Sequence, residues 1–124
     1  MQRLVLRRDE PPAEGLIVIR GGQMLPENLR RSAEVANREV GLYLISVFLV
    51  DVESLVAVCA RPELRRYRLI RTSRVGEILA SGFTLLATSN SPHYDIALPD
   101  LSDETLIRLA GCFRRSIINP AYGQ

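Results

Sequence analysis

The sequence predicts a single α+β domain, built on a mixed, mostly antiparallel sheet of about five to six strands with three to four helices packed on it. Its 124 residues fit one domain. Apolar β-branched runs alternate with amphipathic segments, and at both ends of the chain two strand segments follow each other without a helix between them. A doubly wound parallel sheet has no such pairs. The domain is expected to span residues 1–124, with residues 1–14 as a loosely attached N-terminal strand or arm and residues 117–124 as a C-terminal tail.

The clearest secondary-structure signals lie in the first half of the chain. Residues 4–6 predict a short strand, and residues 16–20 predict a buried strand that runs into a glycine turn. Residues 26–40 carry one apolar stripe at helical spacing, typical of an amphipathic helix that starts with a proline and ends before a glycine. Residues 42–50 are apolar on both faces of a strand, which predicts a central position in the sheet.

The second half predicts two short helices, three strands and a last helix. Ser73 suits the N-cap of the second short helix, because a serine hydroxyl accepts the free N–H groups of a first turn. The expected ranges are 51–59 and 74–81 for the short helices and 67–72, 83–87 and 94–98 for the strands, and the last helix is expected to open at Asp100 or Ser102.

Charge and composition limit the classes of function. All 16 basic residues are arginine and 14 residues are acidic, so the net charge is only +2, too small for a strong polyanion binder. The arginine bias fits either a GC-rich gene or selection for bidentate contacts to phosphate or carboxylate. No apolar run approaches the roughly 20 residues of a membrane span, and charged residues interrupt the N-terminus where a signal peptide is apolar. A cytoplasmic protein without a membrane partner is therefore expected.

The chain also lacks the motifs of several common chemistries. It contains no G-x-G-x-x-G, H-E-x-x-H, C-x-x-C or G-x-S-x-G, and no lysine for a phosphate-binding loop. Kinase, P-loop and zinc chemistry are therefore excluded. Cys59 and Cys112 lie far apart in apolar surroundings, which predicts buried free thiols and no metal site.

Arginine and hydroxyl side chains at two strand ends are the first candidates for a ligand site. Arg20 ends an apolar strand just before Gly21, where bare backbone leaves room for a phosphate or carboxylate in the guanidinium fork. Arg71, Thr72 and Ser73 end a later strand and open a helix, and hydroxyls with free N–H groups at a helix start bind anions. An exposed arginine beside a turn and a plain N-cap serine are the simpler alternatives, and both stay open.

His93, the only histidine, is the candidate for proton transfer, and Asp95 lies two residues further on. An incidental loop histidine is the alternative. Tyr43 and Tyr67 start two strands and either stack on a ligand ring or pack in the core. The arginines between residues 61 and 74 fit RNA contact, a solvated face or a docking patch for an acidic partner.

Three of these segments resemble segments of the ADP-ribosyltransferase fold, as it occurs in small toxins of bacterial toxin–antitoxin pairs. They are Ile19-Arg20-Gly21, Ile70-Arg71-Thr72-Ser73 and His93-Tyr94-Asp95. The chain has no E-x-E or Q-x-E pair, so an aspartate stands where that family has glutamate. The chain is also similar to actinobacterial proteins with an R-G-G start, an S-V-F strand and a G-F turn, a similarity that implies no function.

The resemblance implies roles for these residues. The cofactor-binding positions would hold the phosphates and ribose of NAD, which is a substrate here, and the catalytic positions would assist the departure of nicotinamide. The cofactor-binding positions are Arg20, Gly21, Tyr43, Arg71, Thr72 and Ser73, and the catalytic positions are His93 and Asp95.

Three functions stay open from the sequence. The resemblance implies a toxin-like component that acts on NAD or transfers ADP-ribose, with an antitoxin protein or a second copy as its partner. A non-catalytic protein-interaction module would use the apolar helix stripe or an edge strand. An RNA-binding protein or endoribonuclease toxin would use the arginine cluster with His93, although the net charge of +2 speaks against nucleic acid.

Overall fold

The computed structural model describes residues 2–123 and places six strands and four helices along the chain. In chain order these are β1 (Ile17–Gly21), α1 (Pro26–Val40), β2 (Tyr43–Val50), α2 (Leu55–Cys59), β3 (Leu69–Arg74), α3 (Val75–Ala80), β4 (Thr84–Leu86), β5 (His93–Leu98), α4 (Asp103–Cys112) and β6 (Arg115–Ile118). They form the single α+β domain that the sequence predicts.

All six strands join one sheet in the order β4-β5-β2-β1-β3-β6. Every neighbouring pair is antiparallel. The fold class and the numbers of strands and helices are therefore confirmed, whereas the sheet is not mixed. A helix between two strands permits either relative direction, so the sequence pattern alone does not fix the direction of each pair.

β2 lies inside the sheet between β5 and β1, as its apolar sequence predicts. It is buried along nearly its whole length, and Ser46 is its single exposed residue. A polar, exposed side chain in the middle of the most apolar strand means that one face of the sheet is left partly uncovered there.

The sheet buries apolar side chains on both faces, because successive residues of a strand point to opposite sides. On one face α1, α3 and α4 cover the larger core, which contains Val18, Ile45 and Ile96. On the other face α2 and residues 60–68 cover a smaller core around Ile19 and Phe48. The smaller core stops short of the part of this second face around Ser46, which stays accessible to solvent.

The longer helices have the ends that the sequence predicts. α1 begins with Pro26, buries Leu29 and Ala33, and ends at Gly41, which adopts a φ of 80° that favours glycine. α4 is capped by Ser102, whose hydroxyl accepts the backbone N–H of Thr105 at 3.2 Å.

Two short-range predictions are wrong in detail. The first short helix starts at Leu55 and not at Asp51, because Asp51 and Ser54 accept each other's backbone N–H groups in a turn. Ser73 is not an N-cap: it lies in β3, pairs with Val18 and is buried. Pairing with β1 extends the strand past the position at which the hydroxyl suggested a helix start.

The chain ends also differ from expectation. Residues 4–6 make one isolated bridge, between Leu6 and Thr88, and no strand, although Arg7 N–H donates to the Ala87 carbonyl at 2.8 Å. At the other end, the segment expected as a tail is packed, because β6 includes residues 117 and 118 and Asn119 behind it is buried.

Two further properties follow from this packing. Cys59 and Cys112 are free and buried, as predicted, and burial raises the pKa of both thiols. No helix within residues 2–123 is long and apolar enough to cross a membrane.

Candidate functional site

The register between β2 and β5 brings polar side chains together on the open part of the sheet. Ser46 lies opposite Asp95, and Phe48 lies opposite His93. Residues that are directly opposite in an antiparallel pair share a face, so all four side chains point to the side of the smaller core. These four residues therefore stand on two neighbouring interior strands of the sheet.

Ser46 and His93 are joined directly by a hydrogen bond. The Ser46 Oγ lies 2.7 Å from the His93 Nε2. On the other side of the ring, the His93 Nδ1 lies 3.0 Å from the Thr88 Oγ1 and 3.2 Å from the Thr88 carbonyl oxygen. The Thr88 hydroxyl donates in turn to the Asp95 Oδ2 at 2.6 Å. We refer to Ser46, His93, Thr88 and Asp95 as the relay.

The hydrogen bonds of the relay determine which imidazole nitrogen carries the proton. Thr88 has one hydroxyl proton and gives it to Asp95, so both Thr88 oxygens can only accept from the His93 ring. The Nδ1 is therefore the protonated nitrogen of the neutral ring. The Nε2 keeps its lone pair and accepts a hydrogen bond from the Ser46 hydroxyl, which is the arrangement of a general base beside a nucleophile.

Packing holds the histidine ring in this orientation. The edge of the His93 ring meets the Phe48 ring at 77°, with 5.4 Å between centroids. The Arg61 guanidinium covers Phe48 at 5.0 Å and also forms a 2.9 Å ion pair with Glu63. The hydrogen bond from Arg61 lowers the pKa of Glu63, so this carboxylate stays charged at neutral pH.

Arg20 reaches the same place from β1. Its Nη1 donates to the Ser46 carbonyl at 2.7 Å and its Nη2 donates to the Ser32 hydroxyl of α1 at 3.2 Å. Burial lowers the pKa of Arg20, and Tyr67 and Asp95 oppose that shift. The buried Nε has no hydrogen-bond partner among the described residues. Arg20 thus ties α1 to β2 and places a positive charge directly behind Ser46.

Two cavities meet at Ser46 and Arg20. The first, of about 320 Å³, is polar and is closed by residues 60–68 through Glu63, Arg66 and Tyr67. The second, of about 410 Å³, is mainly apolar and lies between α1 and the N-terminal arm. Its lining residues are Leu4, Arg20, Ser32, Val35, Ala36, Glu39, Val40, Leu44, Ser46 and Asp95. The Ser46 hydroxyl therefore stands between a polar and an apolar space.

The structure gathers four of the sequence candidates around this point. Arg20, His93 and Asp95 surround Ser46, and Gly21 lines the polar cavity. Gly21 also lets the Tyr67 ring approach, because a Cβ at residue 21 would lie 2.1 Å from the Tyr67 Cδ2.

The other four candidates lie elsewhere. Tyr43 packs against the larger core on the opposite face. Arg71 lines a cavity beside α4, and Thr72 and Ser73 line a cavity of about 540 Å³ near β6. These three belong to β3, which β1 separates from β2.

Ser46 and Thr88 belong to no sequence motif, so neither is among the candidate residues from the sequence. The signal for Ser46 is weak but present, since it and Tyr43 are the only polar side chains in a long apolar run. Thr88 is one of several hydroxyl residues in a turn and gives no signal beyond that.

The fold and the site together define an antiparallel α+β protein with a serine–histidine–threonine–aspartate relay on the open face of its sheet. No protein family, curated protein or solved structure matches this chain. No group of three histidine, cysteine or acidic side chains in the described part of the chain could hold a metal ion.

Proposed function

We propose that the protein is a hydrolase that uses Ser46 as its nucleophile and His93 as its general base. The observation that carries the proposal is the 2.7 Å contact between Ser46 Oγ and His93 Nε2, with the proton of the ring held at Nδ1 by Thr88. A hydroxyl is a weak nucleophile unless a base removes its proton as it attacks, and a third group must orient that base. Thr88, backed by Asp95, is the orienting group.

The reaction that fits is the hydrolysis of an ester in two steps. Ser46 Oγ bonds to the carbonyl carbon while its proton moves to His93 Nε2, and the imidazolium then gives that proton to the departing alcohol. Water next attacks the acyl-serine, loses a proton to His93, and the acid leaves as Ser46 regains its proton. Asp95 stabilises the imidazolium through Thr88, and the Arg66 guanidinium, which lines the polar cavity together with Ser46, supplies the positive charge for the oxyanion.

The two cavities indicate the class of ester. The second cavity receives an alkyl or aryl group, because most of its exposed lining is apolar and Leu4, Val35 and Leu44 contribute to it. The polar cavity receives a hydrophilic or anionic group beside Arg66. The substrate is therefore a small ester with one apolar end and one polar end.

The test compares Ser46→Ala with Ser116→Ala in hydrolysis of p-nitrophenyl acetate and butyrate and in labelling by a fluorophosphonate. Ser116 is an exposed serine of β6 outside the relay, so its replacement is the matched control. We expect Ser46→Ala to lose at least about 100-fold in kcat/KM and to lose the label, which mass spectrometry places on Ser46 in the unmodified chain. Equal activity of the two variants, or a label on another serine, contradicts the proposal.

A second candidate is a toxin-like enzyme that cleaves NAD or transfers ADP-ribose. The observation that favours it is the convergence of Arg20, His93 and Asp95, to which the resemblance gives roles in phosphate binding and nicotinamide departure. In this reaction His93 would activate water or an acceptor hydroxyl at the ribose carbon. Expression of the gene alone with growth and cellular NAD followed together tests it. NAD loss that His93→Ala abolishes supports NAD cleavage, and growth arrest with unchanged NAD favours transfer onto a target or RNA cleavage. Normal growth with unchanged NAD contradicts this function.

A further inference from the structure

The segment between Thr88 and His93 is held from outside by a single side chain of the N-terminal arm. The Arg7 Nη1 lies 2.5 Å from the Thr88 carbonyl, 3.0 Å from the Ser89 carbonyl and 2.9 Å from the His93 carbonyl. Both ends of this short segment belong to the relay. The Arg7 Nη1 thus links Thr88, which orients the imidazole, to His93, which carries it.

Arg7 is itself fixed by a small cluster. Its Nε and Nη2 donate to the Asp9 carboxylate at 3.3 and 3.1 Å, and the guanidinium covers the Tyr94 ring at 5.0 Å. The Tyr94 hydroxyl donates to the same carboxylate at 2.8 Å. The hydrogen bonds from Arg7 and Tyr94 lower the pKa of Asp9, so the carboxylate is charged throughout the neutral range. We refer to Arg7, Asp9 and Tyr94 as the clamp.

The positive charge of Arg7 holds the carbonyl oxygens of Thr88, Ser89 and His93 close together. Three carbonyl oxygens that converge on one point repel each other unless a cation lies between them. Without Arg7, the turn from Thr88 to His93 relaxes outward, and the contact between Thr88 and the His93 Nδ1 lengthens. The ring then loses the partner that keeps its proton on Nδ1.

We propose that Arg7 is a positioning residue for the relay, and that docking of the N-terminal arm sets the tautomer of His93. Arg7 contacts the backbone of the relay and none of its reacting atoms, so it acts through His93. The proposal rests on the proposed function for its catalytic consequence, but the tautomer is a property of the folded protein without substrate. The arm adds this control from a part of the chain that contributes no strand to the sheet.

The experiment uses the full chain with ¹⁵N-labelled histidine, which gives one set of imidazole resonances because His93 is the only histidine. Arg7→Ala is compared with Arg8→Ala, since the Arg8 side chain makes no hydrogen bond or ion pair with any described residue. We expect the Nδ1–H tautomer in the wild type and in Arg8→Ala, and a mixture of tautomers in Arg7→Ala. Kinetics of the same proteins should show kcat lower by about 10- to 100-fold in Arg7→Ala with KM nearly unchanged, because a misplaced base slows chemistry more than binding.

Arg7→Lys serves as a second variant in case the alanine variant unfolds. A lysine ammonium supplies positive charge and three donors to the carbonyls but not the fork to Asp9, so it should restore the tautomer in part. Wild-type tautomer and kcat in Arg7→Ala overturn the proposal, as does an Nε2–H tautomer in the wild type. A tautomer change in Arg7→Ala, in a protein whose esterase activity survives Ser46→Ala, supports the positioning role of Arg7 and refutes the proposed function alone.

Discussion

Replacing Asn119 with alanine should destabilise the fold more than the loss of one side chain suggests. Asn119 is 3% exposed and lies just after β6. Its Nδ2 donates to the carbonyls of Leu64 and Tyr67 at 3.0 and 2.9 Å, and its Oδ1 accepts the Ala121 N–H at 2.9 Å. One amide therefore joins the C-terminal segment to residues 60–68, which form the wall of the polar cavity.

The magnitude follows from the groups that are left without a partner. The Leu64 carbonyl still accepts from the Tyr67 N–H at 3.0 Å, so only the Tyr67 carbonyl and the Ala121 N–H are orphaned. An unsatisfied buried group costs about 1–3 kcal/mol, and the partly buried Tyr67 carbonyl lies at the low end, so we expect a loss of about 2–3 kcal/mol. The unfolding entropy of a chain of 124 residues converts this to a fall in Tm of about 8–12 °C.

Thermal and urea unfolding followed by circular dichroism measures this effect. Asn37→Ala is the control, because Asn37 lies on α1, where only its backbone makes hydrogen bonds within the described chain, and it should change Tm by no more than about 2 °C. A free energy of unfolding for Asn119→Ala within about 0.5 kcal/mol of the wild type would refute the reasoning, since surface substitutions already vary by that amount. It would mean that water replaces the amide and that residues 60–68 are held by apolar packing alone.

Three further predictions concern packing, thiol chemistry and pH. Gly21→Ala should destabilise by about 1–3 kcal/mol because its Cβ overlaps the Tyr67 ring, whereas Gly15→Ala, with open space around it, should be neutral in the same unfolding experiment. Ellman's reagent should react slowly with the native protein and count two thiols after denaturation, since both cysteines are buried with raised pKa; a fast native reaction would contradict this. Hydrogen bonds from Thr105 and then Ser102 lower the pKa of Asp100 in the folded state. The stability that the Asp100 carboxylate contributes is therefore present above its pKa in the unfolded chain, about 3.9, and is lost as the pH falls through its lower pKa in the folded protein. The Tm difference between Asp100→Asn and the wild type should thus be constant from about pH 5 to 8 and vanish in strong acid, and a difference that persists there would contradict the assignment.

The sequence predicts the parts of the fold whose signals are local. α1 is found because one apolar stripe, a proline start and a glycine end agree, and β2 is found because it is apolar on both faces. β6 is missed because its four residues follow a helix and carry no periodic pattern; its strand conformation comes from pairing with β3, which is distant in sequence. Ser73 is misplaced for the same reason: its hydroxyl suits a local cap, and pairing with Val18 overrides that preference.

The residues of the site also divide into those with a local sequence signal and those that only strand pairing brings into the site. His93 and Asp95 are candidates from residue type alone, because a histidine and a carboxylate close together in sequence suit proton transfer, and the structure places both beside Ser46. Ser46 becomes a candidate only through the register that places it opposite Asp95 and beside His93. A slip of one residue between β2 and β5 would turn Ser46 to the opposite face of the sheet, so no inspection of β2 alone reveals its partner.

Three residues of the relay belong to the sheet, whereas the segments on either side of it do not. Ser46, His93 and Asp95 stand on β2 and β5, two neighbouring interior strands whose hydrogen bonds fix their spacing. The surroundings of the relay are not part of the sheet: residues 60–68 are joined to the C-terminal segment through Asn119, and the arm is joined to the His93 segment through Arg7. Asn119 and Arg7 therefore stabilise the fold and, at the same time, hold in place the two segments that lie on either side of the Ser46 site. This arrangement favours a site in which the reacting groups stay in place while the two segments beside them determine what reaches Ser46.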